Sequence, residues 1–156
     1  MDHSLIRLVA ENYPRVASDL LEPMLAILQL ARKYFGGDLD SFLMLLVIAI
    51  RTTDHQAFAS ESPERLISGE IPVFPGLGTN IRSVADSLGI PKETARRKIQ
   101  DLLDTGWVAR QDGQLFFTAR AHQDLAPLRE EIEKLAVHYF EIVASLNAAN
   151  AGRDAT

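Results

Sequence analysis

The sequence contains no cysteine, and this absence removes several classes of protein from consideration. Without thiols the chain has no disulfide framework, no thiolate metal site and no cysteine redox switch. A cysteine-free composition fits a reducing interior, and we predict a cytoplasmic location. The N-terminal stretch MDHSLIRLVAENYP has no long apolar core behind a basic start, so a signal peptide is not expected.

Long hydrophobic runs are also missing. The apolar segment FLMLLVIAI, residues 42–50, is nine residues long, whereas a helix that crosses a bilayer needs about 20. We therefore expect no membrane anchor and predict that this segment is a helix buried on all sides.

Signatures of catalysis are lacking as well. The four histidines are scattered along the chain without a partner at metal-ligand spacing, and no nucleophile motif is present. The stretch PGLG, residues 75–78, lacks the downstream Lys-Ser/Thr of a phosphate-binding loop. We expect no enzymatic activity, no bound metal and no cofactor.

Positive charge is scarce overall but is concentrated in one segment. The net charge of −5 argues against a protein that coats nucleic acid by bulk attraction. Residues 79–120 carry a charge of +2, whereas residues 1–78 and 121–156 carry −4 and −3. Local charge decides what a binding face attracts, so this segment is the candidate site.

The first 78 residues are predicted to be helical and then irregular. Apolar residues recur at helical spacing over residues 14–35, with a kink or restart at Pro23, and a second helix is predicted over residues 39–58. We assign residues 1–60 to an N-terminal helical, dimerising region. Residues 61–78 are rich in proline and glycine and are predicted to form a loop with one helical turn.

The C-terminal residues 121–156 are predicted to form a long helix with a disordered tail. Six apolar residues step by four and three along it, which is the spacing of a helix–helix seam. The seam residues are Leu128, Ile132, Leu135, Tyr139, Ile142 and Leu146. Fewer than three heptads fit this length, so the seam packs either on the chain's own core or on a second copy.

Residues 79–120 show the order helix, tight turn, helix and hairpin. A first helix capped by Thr79 or Asn80 leads to a turn at Gly89, and Pro91 begins a second helix. On the second helix the 100° step places apolar residues on one side and polar residues on the other. The dipeptide Asp112-Gly113 favours a type I′ hairpin turn that pairs Arg110 with Leu115.

The stretch SVADSLGIPKETARRKIQDLLDTGWV resembles the winged helix-turn-helix of bacterial transcriptional regulators. It is close to the GntR pattern T-x-R-R-x-[IL]-x-x-L-x-x-x-G-x-V, and it departs from the family at Ala95, where a bulkier residue is usual. The resemblance covers residues 80–118, while the long flanking helices resemble the MarR arrangement, in which they interlock two subunits. The implied fold is mainly α, with a small β-hairpin wing and long N- and C-terminal helices.

The resemblance implies sequence-specific binding of double-stranded DNA by a homodimeric regulator, with the second helix in the major groove and the wing on the backbone. The candidates for base contacts are Glu93, Thr94, Arg97 and Gln100. The candidates for phosphate contacts are Lys92, Arg96, Lys98 and Arg110. A small-molecule effector is possible in such regulators, although no residue identifies one. The alternative is a winged-helix module for protein–protein interaction or assembly that does not bind DNA.

Overall fold

The computed structural model describes the backbone of residues 2–154 and the side chains of residues 2–152. The fold is mainly helical, with a two-stranded antiparallel hairpin and a long C-terminal helix. The helices are α1 (His3–Glu11), α2 (Tyr13–Phe35), α3 (Leu39–Thr53), α4 (Gln56–Ala59), α5 (Pro63–Ser68), α6 (Ile81–Leu88), α7 (Lys92–Thr105), α8 (Ala119–Asp124) and α9 (Ala126–Asp154). The strands are β1 (Val108–Gln111) and β2 (Gln114–Phe117).

The chain divides into two compact units. Residues 31–126 form the central unit, and residues up to 30 together with those from 127 onward form the helical unit. This division differs from the predicted boundaries, because α3 lies in the central unit rather than with the N-terminal helices. The reason is that α3 contacts α6, α7 and β2 and so supplies the core beneath them.

Helix α3 carries the apolar run that the sequence marked as buried. Met44 and Ile48 are fully buried, but Ile50 is 64% exposed, so the prediction of burial on all sides was wrong. The helix also ends at Thr53 instead of continuing to residue 58. His55 begins the separate helix α4 by accepting a hydrogen bond from the Ala57 amide.

The segment predicted as a loop, residues 61–78, is held against the hairpin. Its one helical stretch, α5, begins after Ser62, as predicted. Val73 forms a β-bridge with Thr118, and Thr79 forms one with Leu115. The segment therefore runs alongside β2 as a short third strand would.

The helical unit has its own core, which uses part of the predicted seam. Ile142 and Leu146 pack with Leu8, Val16 and Leu20. These two seam residues therefore belong to the internal core, because α1 and α2 cover them. Of the remaining seam residues Leu128 is buried, Ile132 is exposed, and the half-buried ones are Leu135 and Tyr139.

Helix α2 continues through Pro23 as one helix, so of the predicted kink or restart the restart does not occur. Proline has no amide hydrogen, and the Asp19 carbonyl four residues earlier loses its usual donor. His138 supplies a replacement: its Nε2 lies 2.8 Å from that oxygen and, because a carbonyl only accepts, donates to it. The neighbouring Tyr139 hydroxyl donates to the Leu20 carbonyl at 2.8 Å.

The sequence predicts that Asp124 caps the C-terminal helix, but the structure places Asp124 in the preceding helix. Asp124 closes α8 and accepts a hydrogen bond from the Trp107 indole at 2.8 Å, while α9 begins at Ala126. Helix α9 continues to Asp154, and the last two positions of the predicted disordered tail lie outside the described residues. Over residues 2–154, no helix combines the length and apolarity needed to cross a membrane.

Candidate nucleic-acid interface

The two helices of the predicted motif are joined by a tight glycine turn. Asn80 caps α6 by accepting a hydrogen bond from the Ser83 amide at 2.9 Å. Gly89 ends the helix with φ +64°, a left-handed conformation that glycine adopts without steric cost. Pro91 then stands as the N-cap of α7, one residue before its predicted place in the helix.

Helix α7 is held to the central unit by its apolar side. Ala95, Ile99 and Leu102 are buried, and Leu103 is half-buried, as the helical phase predicted. Ala95 is fully buried, so the small residue at this position lets α7 lie close to its neighbours. The outer side exposes Lys92, Glu93, Arg96, Arg97, Gln100 and Asp101.

Two of these exposed residues pair with each other. The Arg96 guanidinium donates to both carboxylate oxygens of Glu93, one of them at 3.1 Å. This hydrogen bonding lowers the pKa of the Glu93 carboxyl and raises the pKa of Arg96. A candidate base contact and a candidate phosphate contact thus neutralise one another before any ligand is present.

The other predicted contacts on α7 are engaged to different degrees. Gln100 donates from Nε2 to Asp104 at 2.9 Å, so its amide is partly committed within the helix. Thr94 is only half-exposed. The Lys98 ammonium binds Asp38 at 2.5 Å, and only 19% of the Lys98 side chain is exposed. We therefore leave Lys98 out of the phosphate-contact set.

Asp38 lies at the start of α3 and serves two groups at once. Its carboxylate accepts from the Ser41 amide and hydroxyl at 3.1 and 2.8 Å, and it also accepts from Lys98. Burial raises the pKa of the Asp38 carboxyl, but the hydrogen bonds from Lys98 and Ser41 outweigh it, so the pKa lies below its usual value.

Lys92 and Arg97 are the exposed cations of α7 that remain free to meet a ligand. Among the side chains of residues 2–152 and the described backbone, neither has a hydrogen-bond or ion-pair partner. Both lie in the first half of the helix, the part that enters the groove in the DNA complexes of helix-turn-helix proteins.

The hairpin has the predicted register. Val108 pairs with Phe117 and Arg110 with Leu115. The turn residues Asp112 and Gly113 both have positive φ, +50° and +76°, as a type I′ turn requires. Arg110 is exposed, although alternation along the strand puts it on the same face as Val108.

Buried hydroxyl groups fix the hairpin to the rest of the central unit. Thr52 of α3 is fully buried, accepts from the Phe117 amide at 3.1 Å and donates to the Ile48 carbonyl at 3.0 Å. Thr118 donates to the Gly106 carbonyl at 2.7 Å, which joins the end of β2 to the end of α7. The hairpin and α7 are therefore both fixed to the same core.

The sequence did not reveal the roles of Asp38 and Thr52 in fixing these elements. By sequence either Asp38 or Asp40 is a candidate cap of α3, but the ion pair of Asp38 joins residues 60 positions apart. Thr52 lies in an apolar helix and carried no local signal. Both contacts depend on how the elements pack, and only the fold brings the partners together.

Comparisons with protein-family models, with curated proteins and with solved structures gave no match to the chain. No group of three or more histidine, aspartate or glutamate side chains in the described residues is arranged to hold a metal ion.

Proposed function

We propose that the chain is a transcriptional regulator that binds double-stranded DNA sequence-specifically as a homodimer. Helix α7 enters the major groove, and the β1–β2 hairpin lies along the phosphate backbone. In this proposal Arg97 reads a base edge and Lys92 contacts phosphate, while Arg110 is the phosphate contact from the wing.

The observation that carries the proposal is that α7 is fixed by its apolar side and exposes its polar side to solvent. The helix is fixed by a buried apolar side, follows a tight turn at Gly89, and is followed by a hairpin tied to the same core. The segment before α6 pairs with β2, and this pairing and the order of elements support the proposal of a winged helix. The outer side carries Lys92 and Arg97 without internal partners.

The helical unit offers a surface for a second copy. Four apolar residues at helical spacing on α2 are about half exposed, and they are Leu21, Met24, Leu25 and Leu28. On α9, Phe140 is 72% exposed and Val137 is 58% exposed. A contiguous apolar stripe of this kind marks an interaction surface more often than a solvated face. We therefore keep the proposed dimer interface on the N-terminal helices, at this α2 stripe, and take the C-terminal seam out of it.

A protein-interaction module is the second candidate, and the internal pairing on α7 favours it. Glu93 neutralises Arg96, and Asp38 neutralises Lys98, so α7 offers fewer free cations than its composition suggests. A helix with this charge balance could dock on a protein surface without attracting DNA.

Binding to duplex DNA as a function of salt separates the two candidates. A DNA-binding protein will bind random duplex at low salt. The logarithm of its affinity will then fall linearly with the logarithm of the salt concentration, with a slope of about 0.9 per phosphate contact. The interaction module will show no binding at any salt concentration.

A pair of double variants locates the binding surface. Lys92→Met with Arg97→Met removes two free cations from α7, and Arg7→Met with Arg15→Met removes the same charge from α1 and α2. The first variant should lose affinity for DNA, while the second should bind as the wild type does. Equal losses in both variants would show that only overall charge matters.

A further inference from the structure

The ion pair between Lys98 and Asp38 joins the outer helix of the motif to the start of the core helix. Lys98 follows Arg97 directly, so the 100° step turns it from the exposed side of α7 towards the flank. There its ammonium meets the carboxylate that also caps α3 through Ser41. The two ends of this contact belong to different elements of the central unit.

A second contact joins the connection between α2 and α3 to the residues just after α7. Phe35, three residues before Asp38, packs at a tilt against Phe42 of α3 and edge-on against Trp107 just after α7, with ring centroids 5.3 Å apart in both cases. The corner between α2 and α3 therefore holds α7 near its middle through Lys98 and beyond its end through Trp107. One attachment on the helix and one just beyond its end restrict the rotation of α7 about its own axis.

We propose that Lys98 is a positioning residue, whose pairing with Asp38 sets the rotation of α7 and thereby aims Arg97 at the base edges. The inference rests on the proposed function and deepens it. A lysine neutralised by a part-buried carboxylate adds no net charge to the DNA-facing side. Moving its ammonium to a phosphate would leave the Asp38 carboxylate unpaired, which disfavours that exchange.

Three variants test the role. Lys98→Met keeps the aliphatic stem and removes the charge. Asp38→Asn removes the ion pair but retains a side chain that caps helices well, so α3 keeps its start. Lys98→Arg keeps the positive charge and should preserve the pairing. Lys92→Met is the matched control, since it removes an exposed lysine from the same helix.

The measurements are the affinity for a DNA site selected from a random library, the affinity for random duplex, and the salt dependence of each. Lys98→Met and Asp38→Asn should each lower the ratio of specific to random binding by about two- to thirtyfold, the range for residues that act without touching the ligand. The double variant Lys98→Met/Asp38→Asn should lower this ratio no more than either single variant does. Lys98→Arg should keep the ratio of the wild type. The salt slope should stay unchanged in all of them, whereas Lys92→Met should reduce it by about 0.9.

A direct phosphate contact by Lys98 gives the opposite pattern. Lys98→Met would then reduce the salt slope as Lys92→Met does, and Asp38→Asn would strengthen binding to every duplex by freeing the ammonium. That result would overturn the positioning role and leave the proposed function standing. If the wild-type protein binds no duplex at low salt, both fall together.

Discussion

Single side chains in this protein compensate for local defects in the helices. Pro23 removes the amide that would bind the Asp19 carbonyl, and His138 from α9 donates to that oxygen instead. At Gly76 the absence of a side chain lets the backbone lie close to α3, because a Cβ there would lie 1.8 Å from the Thr52 carbonyl oxygen. His138 therefore acts through its Nε2 atom, and Gly76 through the absence of a Cβ atom.

The compensation at Pro23 predicts a coupling between two positions. His138→Leu should destabilise the wild-type chain by about 0.5–1.5 kcal/mol, the net value of one hydrogen bond. In a Pro23→Ala background the new amide serves the Asp19 carbonyl, and the same substitution should cost close to nothing. Urea unfolding of the four proteins measures the difference.

Tyr139→Phe is the control for that cycle. The Leu20 carbonyl faces the Met24 amide in the helix whether or not residue 23 is proline, so Tyr139→Phe should cost the same in both backgrounds. A His138 cost that is equally independent of residue 23 would contradict the proposed compensation.

At the scale of the elements, local patterns predicted those with strong local signals. The Asp112-Gly113 turn predicted the hairpin register to the residue, and the spacing of Ala95, Ile99 and Leu102 predicted the buried side of α7. The end of α3 was missed by five residues, because the polar stretch after Thr53 caps a new helix instead of continuing the old one.

Pairing between distant segments could not be predicted in the same way. The strand-like segment before α6 has prolines and glycines that indicate a loop, and only its bridges to β2 reveal its place. The candidate site shows the same limit. Which cations of α7 are free depends on Asp38, which lies far away in the sequence.

The segment before α6, which contains Gly76, gives a prediction at the scale of the elements. Gly76→Ala would drive a methyl group into the backbone of α3, so the segment must shift and the chain should lose about 1–3 kcal/mol, as in other overpacked sites. Hydrogen exchange should accelerate at the Leu115 amide, which donates to the Thr79 carbonyl at 2.8 Å. Gly113→Ala strains only the open hairpin turn and should leave this amide protected. Faster exchange in both variants would contradict the idea that Gly76 controls the pairing of this segment with β2.

At the scale of the whole molecule, the exposed apolar stripe supports the proposed homodimer. The α2 stripe is exposed in the single chain, whereas Ile142 is covered by α1 and α2. A chain that functions alone gains nothing from leaving Leu21 and Leu25 in water. We therefore expect a homodimer through the stripe, so that the proposed regulator carries two copies of α7.

Charged substitutions distinguish this interface from the core. Leu21→Asp with Leu25→Asp should give a folded monomer, because these side chains are already exposed, and analytical sedimentation together with circular dichroism will report it. Ile142→Asp should instead unfold or strongly destabilise the helical unit, since it places a charge against the core formed by Leu8, Val16 and Leu146. A monomeric wild type, or a stripe variant that stays dimeric, would exclude this interface.

The measurement that tests the central claim most directly is the ratio of specific to random DNA binding in Arg97→Ala. Arg97 is exposed on the outer side of α7 and has no partner within the described chain, and its planar guanidinium suits two acceptors on a guanine edge. We expect a loss on the order of 1–3 kcal/mol on the selected site and a smaller loss on random duplex. The exposed control Arg7→Ala should change neither. If Arg97→Ala binds both duplexes as the wild type does, α7 does not read DNA, and the account is contradicted.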